Sequence, residues 1–115
     1  MNLIKADTKI LLVEDEVWYQ QIFQGILHDL GYLKTEMDGD GVTMVEKARE
    51  YLPHVILMDT NLPGQKGYEA CRQIRAQEWG KRMAILGMST VGGLDSKWRM
   101  LVQIAFPTKM FSSEI

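Results

Sequence analysis

Three short runs, KILLV (Lys9–Val13), VILM (Val55–Met58) and MAILGM (Met83–Met88), are almost wholly apolar, and longer amphipathic segments separate them. At strand length this is the pattern of parallel strands with both faces buried, because a strand with one face in water alternates polar and apolar side chains. LKTEM (Leu33–Met37) does alternate and predicts an edge strand. IAFPT (Ile104–Thr108) predicts a fifth strand, at an edge or bulge, since Pro107 has no amide hydrogen to give to a ladder.

The segments between the runs carry helical spacing. Tyr19, Ile22, Phe23, Ile26, Leu27 and Leu30 recur at i, i+3, i+4 and i+7, and Gly31 supplies the left-handed residue that ends helices. Val42, Val45, Ala48 and Leu52 predict a second helix closed by Pro53, and Tyr68–Gln77 a third around Ala70 and Ile74. A fourth is expected in LDSKWRMLVQ, residues 94–103. Strands and helices that alternate at this spacing build βαβ units, hence an open parallel sheet covered on both sides. Ligands of such sheets sit beyond the carboxyl ends of the strands.

The chain has 115 residues, 46% of them hydrophobic and 24% charged, the size and balance of one ordinary globular domain. With 13 basic against 15 acidic residues it lacks the positive footprint of a nucleic-acid binder. No apolar run reaches the roughly 18 residues that span a bilayer, and MNLIKADTK lacks the apolar centre of a signal peptide. A lone cysteine, Cys71, suits a reducing compartment and is read as a small helix residue. We expect one cytoplasmic domain over residues 1–115 that contacts neither nucleic acid nor membrane directly.

Each apolar run ends in a reactive or ligating residue. ILLV leads into Glu14, Asp15 and Glu16, VILM into Asp59, ILGM into Ser89 and Thr90, and the last strand into Lys109. Strand ends favour polar residues whatever the function, but carboxylates converging from separate strands repel one another unless a cation offsets them. A donor set of oxygens points to Mg²⁺ rather than zinc. His28 and His54 are read as structural or surface residues. An aspartate beside Mg²⁺ can take a phosphoryl group as an acyl phosphate, with a hydroxyl and a lysine holding the remaining oxygens. Ser89 and Lys109 would serve there.

ILLVEDE, VILMDTNLPGQKGYE, AILGMST and Lys109, in that order, resemble the receiver domain of two-component response regulators. The resemblance implies a flavodoxin-like, doubly wound, five-stranded parallel sheet of order 2-1-3-4-5. It implies Asp59 as phosphoacceptor and Mg²⁺ held by Glu14, Asp15, Asp59 and the backbone carbonyl of Asn61. Ser89 becomes the switch hydroxyl, Phe106 the aromatic switch residue, and Lys109 the lysine that ties to the phosphoryl group. The implied partners are a histidine kinase or phosphotransfer protein upstream and a protein that reads the switched face downstream. Turnover catalysis is not implied, beyond self-dephosphorylation: a phosphatase of the aspartate class carries a second aspartate where this chain has Asn61.

Some positions depart from the family. Thr90 stands where Ala usually follows the switch hydroxyl, Met110 where Pro follows the lysine, and Leu101–Ile104 where Ala-Gly-Ala-Asp is common. These departures motivate an alternative reading, a pseudo-receiver that acts as a protein-interaction module. The chain also stops at FSSEI, short of most of a fifth helix, so an uncovered sheet face is expected to bring two copies together as a homodimer.

Overall fold

Every strand that the apolar runs predict between residues 9 and 88 is present. The computed structural model describes residues 4–59 and 67–88. After a 3-10 turn (Lys5–Asp7) come β1 (Lys9–Val13), α1 (Val17–Asp29), β2 (Lys34–Asp38), α2 (Thr43–Tyr51) and β3 (Val55–Asp59). There follow α3 (Gly67–Arg75), a second 3-10 turn (Glu78–Gly80) and β4 (Ala84–Met88). All pairings are parallel and the order is β2-β1-β3-β4, the arrangement of a flavodoxin-like sheet with alternating β2 on an edge. The expected fifth strand, fourth helix and partial fifth helix lie outside the described residues. Among the described residues no helix is long and apolar enough to cross a membrane.

Period-two geometry explains why the central strands are apolar throughout. Leu11 and Val13 on β1, with Ile56 and Met58 on β3, pack toward α2 and α3 around Met44, Ala48 and Ile74. Ile10, Leu12 and Leu57 point the other way, toward Phe23 and Leu27 of α1. Each such burial stabilises the fold by roughly 1.5–3 kcal/mol, so both faces are committed and the register cannot slip.

Helix ends show local chemistry that periodicity does not. Gly31 takes φ 102°, and its amide and that of Tyr32 donate to the carbonyls of His28 and Leu27, closing α1 as expected. Pro53 closes α2 as expected, since a residue before proline is disfavoured from continuing a helix, and that residue, Leu52, turns left-handed at φ 52°. At the other end, the Asp40 carboxylate accepts the amides of Val42 and Thr43, both at 2.8 Å. These bonds, that from Thr43 foremost, hold Asp40 below the ordinary carboxylate range. Asp40→Ala should therefore cost about 1 kcal/mol in urea unfolding at neutral pH. The loss shrinks as pH falls through the lowered folded value, since the parent then loses the same charge.

His54 is structural, as read. Its Nδ1 accepts the Lys9 amide at 2.9 Å, while its own backbone bonds Lys9 and Ala84, so it ties the starts of β1, β3 and β4 together. His28 is exposed, its Nε2 3.3 Å from the Thr35 hydroxyl. Cys71 lies on α3, as expected, fully buried with its thiol donating to the Met58 sulfur at 3.3 Å. Burial pushes that thiol up to about 12, so it is expected to resist a disulfide reagent at pH 8 in the native state and to react only on unfolding. Its contribution to stability is complete below the ordinary value near 9 and is lost as pH rises toward 12.

Candidate functional site

Register brings the carboxylates together. Val13 pairs with Met58, so the next residues along two adjacent parallel strands, Glu14 and Asp59, emerge side by side at the carboxyl edge of the sheet. Asp59 is the last residue of β3 and pairs with Met88 of β4, the residue before Ser89 in sequence. The Glu14 amide donates to the Asp38 carbonyl at 3.0 Å, which carries the β1–β2 ladder one residue past β1.

Glu14, Asp15 and Asp59 each offer a carboxylate oxygen, and these oxygens lie within 4.8 Å of one another. Glu14 and Asp59 are buried and Asp15 is exposed. Water therefore solvates only one of the three well. The arrangement is favourable when a divalent cation offsets the charge, and three hard oxygen donors with no histidine or cysteine fit Mg²⁺.

Glu16, the next acid in sequence, stands outside this group. It is exposed at the start of α1, and its amide donates 3.1 Å to the Glu14 carboxylate. The chain turns into α1 at this point. Asn61, Ser89, Thr90, Phe106, Lys109 and Met110 lie outside the described residues.

Two contacts escaped the sequence. The Gln20 side chain donates to the Glu14 carbonyl at 2.6 Å, and the Asp38 carboxylate accepts the Gly39 amide at 2.7 Å and the Thr43 hydroxyl at 2.9 Å. Both couple the carboxylate edge to the first turn of a helix. Neither has a motif, since each depends on how strand and helix meet.

Comparison with known proteins agrees with this geometry. The family model of the response regulator receiver domain matches residues 10–106. The chain is 30% identical over 84 residues to the chemotaxis protein CheY-3 of Vibrio cholerae, covering 73% of this chain and 65%, less than two thirds, of that relative. The receiver domain of a Pseudomonas aeruginosa sensor histidine kinase, solved with a magnesium ion coordinated in its active-site cleft, is 35% identical, with a TM-score of 0.67 over 81% of this chain and 78% of that one. A third likeness, 25% identical with a TM-score of 0.63, covers 83% of this chain and 72% of the other. It comes from the Saccharomyces cerevisiae co-crystal of the phosphotransfer protein Ypd1 with the receiver domain of Ssk1. With the family match running from β1 past the end of β4, and bacterial and yeast receivers superposing on this chain, the protein belongs to the receiver domain family of two-component response regulators.

Proposed function

We propose that the chain is one receiver domain whose Asp59 accepts a phosphoryl group from a phosphohistidine on a histidine kinase or phosphotransfer protein. The observation that carries this reading is a buried aspartate at the end of a central strand with two further carboxylate oxygens within 4.8 Å. An Asp59 oxygen attacks phosphorus, the P–N bond breaks, and the imidazole leaves with the electron pair and takes up a proton from water. The product is an acyl phosphate on Asp59. Glu14, Asp15, Asp59 and the Asn61 carbonyl would hold Mg²⁺, which supplies positive charge opposite the transferring group.

Support comes from the magnesium in the Pseudomonas aeruginosa receiver and from the phosphotransfer protein bound to the yeast receiver. In this reading Ser89 and Lys109 bind the phosphoryl oxygens and Phe106 changes rotamer, shifting the population toward a face that a downstream protein reads. Signalling, not turnover, is the output.

Acetyl phosphate tests the proposal. The parent protein should take up a phosphoryl group in Mg²⁺ and lose that ability in EDTA or as Asp59→Asn. An unlabelled but folded parent protein supports the pseudo-receiver instead, the reading that Thr90 and Met110 motivate.

A further inference from the structure

Three hydrogen bonds among the described residues grip Glu14. Its amide donates to the Asp38 carbonyl (3.0 Å), its carboxylate accepts the Glu16 amide (3.1 Å), and its carbonyl accepts the Gln20 side-chain amide (2.6 Å). The first two are short-range consequences of the sheet and the turn. The third comes from a side chain on α1 that α1 does not need, because the Gln20 backbone already donates to the Glu16 carbonyl at 3.0 Å and the helix is seated by Phe23 and Leu27.

The Glu14 carbonyl belongs to the peptide that joins Glu14 to Asp15. Fixing that oxygen fixes the plane of the peptide, and with it the Asp15 backbone from which the one exposed carboxylate of the group projects. An exposed aspartate has water on its open side and few packing neighbours to choose its direction. Orientation has to come through the main chain.

We infer that Gln20 is a positioning residue: by holding the Glu14 carbonyl it aims the Asp15 carboxylate at the point shared with Glu14 and Asp59. This rests on the proposal that these three residues bind Mg²⁺. Groups that orient metal ligands without touching the metal commonly change affinity by about 10- to 100-fold. Gln20 acts on a ligand through one peptide rather than by touching it, so the expected loss lies just under that range, about five- to tenfold.

The test uses Gln20→Met, of similar length and without a donor, and Gln20→Leu as a second variant. Mg²⁺ titration calorimetry gives the affinity, NMR gives the Glu14 carbonyl carbon and Asp15 amide nitrogen shifts in EDTA, and urea unfolding in EDTA gives metal-free stability. The inference expects both shifts to move, the Mg²⁺ Kd to rise about five- to tenfold, and the metal-free unfolding midpoint to stay in place. It is overturned if the Kd stays within about twofold of the parent's, or if affinity falls only in step with metal-free stability. A parent protein that binds no Mg²⁺ overturns the metal proposal and this inference with it. A parent that binds, alongside variants that bind equally well, overturns the Gln20 inference alone.

Discussion

Gly80→Ala is expected to remove about 3 kcal/mol of folding stability, a large share of what a small domain possesses. A Cβ at this position would stand 2.2 Å from the Ile74 carbonyl oxygen, 2.6 Å from Ile74 Cγ2 and 2.9 Å from the Ile74 carbonyl carbon. Two of those atoms are backbone of α3 and cannot rotate aside. Nor can the loop retreat, because the Gly80 amide donates to the Gln77 carbonyl and its own carbonyl accepts Arg75 Nη1, both at 3.0 Å. Arg75 grips the carbonyls of Lys81 and Met83 as well, so moving residue 80 unpicks the whole connection into β4. Gly25→Ala is the contrasting case: its Cβ would meet nothing within 4 Å, and the substitution should stabilise α1 by roughly 0.5–1 kcal/mol. Urea unfolding of both variants checks the pair. Equal midpoints would show that the α3–β4 connection is looser than these distances imply.

Asp59→Asn is expected to stabilise the protein in EDTA while removing its response to Mg²⁺. The three carboxylate oxygens lie within 4.8 Å of one another, and two of the residues are buried. At an effective dielectric near 20, ionised pairs at about this spacing repel by around 3 kcal/mol each. Water around Asp15 and the neighbouring hydrogen bonds reduce that, so neutralising Asp59 should add about 1–2 kcal/mol in the absence of metal. The parent protein regains stability when Mg²⁺ binds, by about 1.4 kcal/mol for a free concentration tenfold above Kd, and the variant should not. Thermal unfolding in EDTA and in Mg²⁺ therefore gives two lines that converge or cross. A variant less stable than the parent in EDTA would mean that Asp59 is held by favourable contacts stronger than the repulsion.

The sequence was most legible where one physical requirement dominates. β1 and β3 are buried on both faces, so Lys9–Val13 and Val55–Met58 read as buried parallel strands, and alternation marked β2 as an edge. Because two central parallel strands end beside each other, the carboxylates of Glu14 and Asp59 were bound to meet. Illegible were features made by contact between segments. The bond from the Glu16 amide to the Glu14 carboxylate is one, set by the turn into α1. Gln20 could not be linked to Glu14, nor Gly80 to Ile74, by any spacing rule. Leu52 is a further case, since leucine does not advertise a left-handed backbone.

The central claim is that Asp59 is the phosphoacceptor of a Mg²⁺-dependent receiver, and residue-resolved mass spectrometry after acetyl phosphate treatment tests it most directly. The phosphoryl group should be found on the peptide containing Val55–Asp59, at Asp59, in Mg²⁺ and not in EDTA. A phosphoryl group on another residue, or none on a folded Mg²⁺-bound protein, would contradict the account.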